Sequence, residues 1–242
     1  MDQVSPPPPT RAYRSALRAE QARATRRRVL VAATALFLES GYAATTVRAV
    51  AGRSGASVPT VEALFGTKAR LLKAAIDVAI AGDDEPVPML DRDWAQEGLR
   101  APDVRSLLRI AARVLGAAQE RSAGLVLAAF EGAGSDPELA ALAGRLVEQR
   151  AGSAAWLVDV VRRLSPLREE TRHPADAAGR AAAREAAVDT VWLLLDPAVY
   201  ERFTRRLGHR RADYEDWIAR TIEHALVPDS PPSTHPTTRS SS

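Results

Sequence analysis

The chain has no cysteine, two methionines among its 242 residues, and aromatic side chains at only 5%. Without thiols there are neither disulfides nor thiolate metal ligands, so folding does not depend on an oxidising compartment. Long apolar runs are also missing. The nearest, "LVLAAF" from Leu125 to Phe130, is far short of the ~20 residues that cross a bilayer. The opening stretch "MDQVSPPPPT" carries an acid and four prolines but no apolar core, unlike a secretory signal. These absences lead to the expectation of a soluble, cytoplasmic protein with no membrane partner. The histidines, His173, His209, His224 and His235, are scattered. Of these, His209 with Asp213 alone has helical metal-ligand spacing, and a solvent-exposed pair explains it more simply, so no metal and no cofactor are expected. There is no glycine-rich phosphate loop, no Gly-x-Ser-x-Gly and no evident acid-base pair of carboxylates. Glu169 and Glu170 fall in a charged loop where solvation accounts for them. An enzyme is not expected.

What is present is apolar content and one-sided charge. Hydrophobic residues make up 46% of the chain, enough to bury a substantial core in one or two domains. The balance of 33 basic and 30 acidic side chains is only +3, but its distribution is uneven. Arg11, Arg14, Arg18, Arg23, Arg26, Arg27 and Arg28 lie close together, with Glu20 as their one acidic neighbour. Taken alone, such an arm reads as a solvated, disordered tail.

The pattern along the chain is helical. Val29, Leu30, Ala33, Leu36 and Phe37 repeat on one helix face, and Ser40-Gly41 supplies a stop. A short second helix begins after Thr45-Thr46, whose hydroxyls suit an N-cap, carries Val50 and Ala51 inward, and ends at Gly55. A third starts at Ser57. Pro59 belongs in its first turn, where the missing N–H has no intrahelical partner to lose, and Val61, Leu64 and Phe65 form its buried side. Gly66 breaks it, Thr67 caps a fourth helix, and Leu71, Leu72, Ala75 and Ile76 give that helix its stripe to about Ile80. Ala51, Gly55 and Val61 have the spacing of a helix-turn-helix: a small residue where two axes cross, a positive-φ turn, and a return to the shared core. In that arrangement the second helix lies in the major groove.

In these features "RRRVLVAATALFLESGYAATTVRAVAGRSGASVPTVEALFGTKARLL" resembles the N-terminal DNA-binding domain of the TetR family of bacterial transcriptional regulators. The resemblance covers Arg26 to about Ile80. It rests on Ala-Ala-x-x-Leu-Phe in the first helix, Gly-Tyr and Thr-Thr-Val before the second, the helix-turn-helix, and Phe-x-x-Lys-x-x-Leu-Leu leading into the fourth. It implies double-stranded operator DNA as partner, with Arg26, Thr46, Arg48, Ser57, Val58, Pro59, Thr60, Glu62 and Lys68 as the DNA-binding set. Thr46 would cap the second helix against a phosphate, Ser57 and Thr60 would sit at the start of the recognition helix, and Lys68 would meet the backbone. Arg48 either reads a guanine edge or is an ordinary solvated arginine, while Val58 and Pro59 offer apolar surface for a thymine methyl. Glu62 departs from the family, which very often has a tyrosine there that contacts phosphate. Its carboxylate either turns away, toward an arginine of the basic arm, or accepts a hydrogen bond from a cytosine amino group. With so little polar reading chemistry on this helix, the arm from Arg11 to Arg28 is expected to supply much of the affinity.

Beyond Ile80, "AGDDEPVPML" is acidic and aperiodic and marks a boundary. Helices are then expected from Val104 to Arg121, from Ala123 to Gly132, and from a Ser135/Glu138 capping box to about Leu164, bent at Gly144 or Gly152. An exposed loop "SPLREETRHPAD" should lead to a helix ending near Leu195, a short helix after Asp196-Pro197, and a last helix bearing Tyr214, Trp217, Ile218, Thr221, Ile222 and Ala225. The resemblance implies a homodimer. Val188, Val191, Trp192, Leu195, Trp217 and Thr221 are its candidate interface, since apolar residues on two faces of the helix ending near Leu195 need covering from two sides. A small-molecule effector of unstated identity is expected in a cavity lined by Leu125, Leu127, Phe130, Trp156 and Val160.

The expectation is therefore an all-α chain. A disordered basic arm (1–20) and a helix-turn-helix DNA-binding domain (21–82) precede a linker (83–103), a helical ligand-binding and dimerisation domain (104–227) and a disordered tail (228–242). Its function would be that of a sequence-specific transcriptional regulator, a repressor released by ligand. The alternative is a helical interaction or ligand-carrying module whose helix-turn-helix no longer reads a specific sequence.

Overall fold

A computed structural model describes residues 11–82, 93–172 and 176–228, with side chains from Arg18 onward. The tail beyond 228, the first ten residues of the arm, most of the linker, His173 and His235 lie outside the described residues. Among those described, the architecture is all-helical: α1 (Arg11–Ala44), α2 (Val47–Ser54), α3 (Val58–Phe65), α4 (Lys68–Ala81), α5 (Asp93–Leu99), α6 (Val104–Gly132), α7 (Pro137–Leu164), α8 (Arg168–Arg172), α9 (Ala177–Leu194), α10 (Pro197–Glu201), a π-helical turn over Arg202–Arg206, and α11 (Arg211–Leu226). Among the described residues no helix is long and apolar enough to cross a membrane.

Two compact units form, one from residues within 1–86 and 118–147, the other from 87–117 and 148–242. The division in space thus differs from the chain break expected at 83–103, because the second half of α6 and the start of α7 pack with the N-terminal helices. Leu125, Val126, Ala129, Leu139 and Leu142 join Val29, Phe37, Val50, Val61, Leu72 and Ile76 in one apolar cluster. Three helices of the head are short, and α2 and α3 have only eight residues each. Helices below ~12–15 residues are marginal in water, so this cluster and the helix caps hold them. Val50, Leu72 and Ile76 are completely buried, each contributing ~1.5–3 kcal/mol of hydrophobic stabilisation.

Several expectations are corrected. The arm is helical from Arg11 onward, because α1 extends through "RAYRSALRAEQARATRRR", where alanine, arginine and glutamine are good helix formers. The helix breaks where expected, at Gly41, with φ 72° and ψ 177°. The two helices expected over 104–132 are one, α6: neither glycine nor proline interrupts the polar stretch near Arg121, and Ser122 Oγ donates back to the Ala118 carbonyl at 2.8 Å without breaking the helix. Helix α7 runs through Gly144 and Gly152 as one helix. Its start is capped not by Ser135 and Glu138 but by Asp136, which accepts from the Glu138 and Leu139 amides at 2.9 and 3.4 Å. The expected loop after Ser165 contains α8, anchored by buried Leu167, whose amide donates to Glu170 at 3.0 Å. The expected linker ends in α5.

In the second unit, Tyr200, Phe203, Tyr214 and Trp217 form an aromatic cluster, with Phe203 and Trp217 stacked at 5.0 Å between ring centroids. His209 lies against Phe203 at 4.5 Å, and Asp213 is held by Arg210. Arg210 also holds the Asp213 carboxyl at about 2, below the usual aspartate range.

Candidate nucleic-acid interface

The head is punctuated by local chemistry. Thr46, Ser57 and Thr67 each sit in extended backbone ahead of a helix and accept from the amide three residues on, Ala49, Thr60 and Arg70, at 3.1–3.2 Å. Gly55 closes α2 in the left-handed conformation, φ 68° and ψ 22°, and the Ala56 amide donates to the Ala51 carbonyl at 3.1 Å. This turn sets α3 against α2, with Ala51 and Val61 nearly fully buried on either side. Thr45 faces inward, its hydroxyl donating to the Gly41 and Leu36 carbonyls at 2.8 and 3.1 Å. The adjacent threonines, which look alike in sequence, thus act as an internal bolt and a helix cap.

The outward side of the head carries the candidate groups. Arg48, Ser57, Pro59 and Glu62 are exposed; Val58 and Thr60 are half-buried. Ser57 Oγ and Thr60 Oγ1 share a hydrogen bond of 2.7 Å at the start of α3. Arg48 and Glu62 make no side-chain interaction among the described residues.

Other cations of the head have structural roles. The Arg26 guanidinium lies 4.8 Å from the centre of the Phe65 ring. Arg28 donates to the Ser54 carbonyl at the end of α2 at 3.4 Å and to Thr25 at 3.3 Å. Arg53 pairs with Glu39 through two bonds of 2.6 and 2.8 Å, and this contact lowers the Glu39 pKa. Lys68 is held most firmly of these. Its ammonium donates to the Tyr42 and Thr45 carbonyls at 2.8 and 3.0 Å and lies over the Tyr42 ring at 4.0 Å. Burial lowers its pKa, opposed by Asp136. With two of an ammonium's three donors engaged, Lys68 first ties the α1–α2 junction to α4 and has at most one donor left for a phosphate.

A second tie was not legible in sequence. Tyr42 Oη donates to Asp136 at 2.6 Å across 94 residues, and Thr67 Oγ1 and Arg70 both reach Glu138. Burial, then Asp136, raises the Tyr42 pKa, and the tyrosine hydroxyl lowers that of Asp136. Gly132 makes room for this contact: a Cβ there would lie 2.5 Å from Leu139 and 3.1 Å from the Tyr42 ring.

The candidate ligand residues fall in both units. Leu125 is fully buried in the core of the head, Phe130 packs against that core and Leu127 is half-buried in the same unit. Trp156 and Val160 belong to the second unit, where Trp156 meets Trp94 edge-on at 6.4 Å. A groove of about 600 Å³ in the second unit is lined by Asp93, Gln96, Glu97, Arg100, Ala101, Pro102 and Ile110, none of them a candidate. The interface candidates also divide. Val191 and Leu195 are buried within the chain, while Val188, Trp192, Trp217 and Thr221 are partly exposed. Trp192 is covered on one face by Arg150, 4.1 Å from its ring centre, and Thr221 Oγ1 donates to the Trp217 carbonyl at 2.8 Å. Also on α9, Ala182, Ala186, Asp189 and Leu193 are exposed at the spacing of one helix face.

Comparisons with known proteins agree with this head. Residues 29–75 match the family model described as bacterial regulatory proteins, tetR family. No curated protein matches the chain. Among solved structures, NalD of Pseudomonas aeruginosa, described as the secondary repressor of the MexAB-OprM multidrug efflux pump, is similar at 18% identity. The similarity covers 87% of this chain and all of that one, with a TM-score of 0.54. The ketosteroid transcriptional regulator KstR2 of Mycobacterium tuberculosis is 18% identical, over 84% of this chain and 95% of that one, at a TM-score of 0.51. A Saccharomonospora viridis protein described as a transcriptional regulator, in complex with choline, is 17% identical over 84% and 98% of the two chains, at 0.55. The helices built around Val29–Ala75, with α3 presented by the Gly55 turn, are the part of the chain that is similar to the tetR family of bacterial regulatory proteins.

Proposed function

We propose that the chain acts as a homodimeric transcriptional repressor that holds operator DNA with two copies of this head and leaves it when a small molecule binds the second unit. The observation that carries the reading is the outward face of the head. Helices α2 and α3 both begin with capped N-termini, and Ser57, Pro59, Glu62 and Arg48 are exposed. Helix N-termini and hydroxyls suit phosphate oxygens, and a helix of this size fits the major groove. Helical α1 adds Arg18, Arg23 and Arg27 on exposed positions beside the head, a sequence-independent electrostatic contribution that falls with salt.

Paired half-sites require paired heads, which supports the dimer. Exposed Ala182, Ala186 and Leu193, with Asp189 among them, give α9 an accessible strip of mostly small and apolar side chains, and Trp192, Trp217 and Thr221 remain the candidates from the aromatic region. A neighbour of the same fold that holds choline supports the effector. Release follows from population shift: a ligand that prefers one spacing of the two heads draws the dimer into a form that no longer spans both half-sites.

Selection of bound fragments from genomic DNA by the purified chain, followed by footprinting, tests this reading. The expected result is a protected two-fold palindrome with half-sites about 34–36 Å apart or a multiple of that spacing. No protected site anywhere in the source chromosome would contradict it.

A further inference from the structure

We infer that Glu62 is the residue with which this head selects a cytosine, its carboxylate accepting a hydrogen bond from the N4 amino group of a C·G pair in the major groove. This rests on the DNA-reading role proposed above and adds the base that the recognition helix distinguishes.

Helix α3 turns Val61 and Phe65 into the core and leaves Pro59, Glu62 and Ala63 exposed. Of these three, Glu62 alone has a side chain that forms hydrogen bonds. Ser57 and Thr60, at the start of the helix, are already bonded to each other, and Ser57 also accepts from the Thr60 amide. The Glu62 side chain has no partner among the described residues. Four cations of the head are engaged with other groups: Arg28 with the Ser54 carbonyl, Arg53 with Glu39, Arg26 with Phe65 and Lys68 with the Tyr42 and Thr45 carbonyls.

A bare carboxylate brought between two phosphate backbones is repelled unless it meets a donor. The major groove offers only two kinds, the amino groups of adenine and cytosine. Adenine N6 lies between two acceptors, its own N7 and thymine O4, and both oppose a second negative group. Cytosine N4 has an acceptor on one side only, guanine O6, with the nonpolar C5 edge on the other. Glu62 therefore pairs with cytosine and penalises every other base at that position by leaving a desolvated charge without a partner. Its contribution is to specificity more than to affinity.

The test is selection from random duplex DNA by the full chain, run in parallel with Glu62→Gln and Glu62→Ala. Glu62 is exposed, so both variants should retain the parent's melting temperature. The parent should enrich a motif with C·G at one position of each half-site. Glu62→Ala should lose that preference by on the order of tenfold while keeping the rest of the motif, and Glu62→Gln should move the same position toward A·T. A Glu62→Ala motif identical to the parent's at every position would overturn the inference and leave the DNA-reading role standing. A parent that enriches no motif would overturn both.

Discussion

The head and the second unit obey different rules of construction. In the head, each of α2, α3 and α4 opens on a hydroxyl cap and closes on a positive-φ glycine, Gly55, Gly66 and Gly82. The second unit also has caps, Asp176 before α9 and Asp196 before α10, but its elements are joined by ion pairs: Arg150 with Asp196, Arg184 with Asp159, Arg162 with Glu170, and Arg105 with Glu223. A start and a stop within about ten residues can be read from local sequence. An ion pair joining positions 25 or 118 residues apart cannot.

The contrast can be broken most severely at the core of the head. Leu72→Ala removes a fully buried side chain and should cost about 2–5 kcal/mol. Chemical denaturation should show that loss, with the DNA-binding transition moving with it. Gly55→Ala is a sharper probe, because a Cβ there meets nothing within 4 Å. Its cost is the left-handed backbone alone, about 1–2 kcal/mol. A loss near zero would mean that the turn between α2 and α3 is not in that conformation in solution.

The long-range tie is expected to be weaker. Tyr42→Phe removes the donor to Asp136 and should cost about 1 kcal/mol, at the low end for a bond to a charged group because solvent reaches the carboxylate. Its pH dependence has a definite sign. The folded-state pKa of Asp136 lies below the ordinary value, with the Tyr42 hydroxyl as the largest cause. Its stabilisation is thus complete above the unfolded-state pKa, near 4, and is lost as pH falls through the lower folded-state value. Urea titrations below pH 5 should show a smaller loss of stability for Tyr42→Phe than for the parent. In the second unit, Asp213→Asn should likewise remove part of the acid dependence between the usual aspartate value of 3.8 and about 2. The smallest effect should come from Arg53→Ala, whose pair with Glu39 is exposed. A slight loss of melting temperature at low salt should vanish at high salt.

The head was largely legible from sequence because glycine, proline and threonine act locally. Pro59, the Gly55 turn and the caps at Thr46, Ser57 and Thr67 are all as the residues imply. Lys68 was misread. A lysine at the first position of a helix looks available to phosphate, and only the fold brings the Tyr42 and Thr45 carbonyls beneath it. Asp136 was passed over for Ser135 and Glu138 because capping-box spacing is a local pattern, whereas Tyr42 and Thr67, which settle the roles of these acids, come from distant positions. Leu125 and Phe130 were read as pocket candidates because apolar helix residues do not reveal which core they enter.

The central claim, that α3 of this head reads a specific duplex, is tested most directly by competition binding of the full chain at matched salt. A duplex carrying the selected site is competed against random duplex of equal length. The account predicts a preference of about 10³-fold or more. Equal competition by the two duplexes would contradict it.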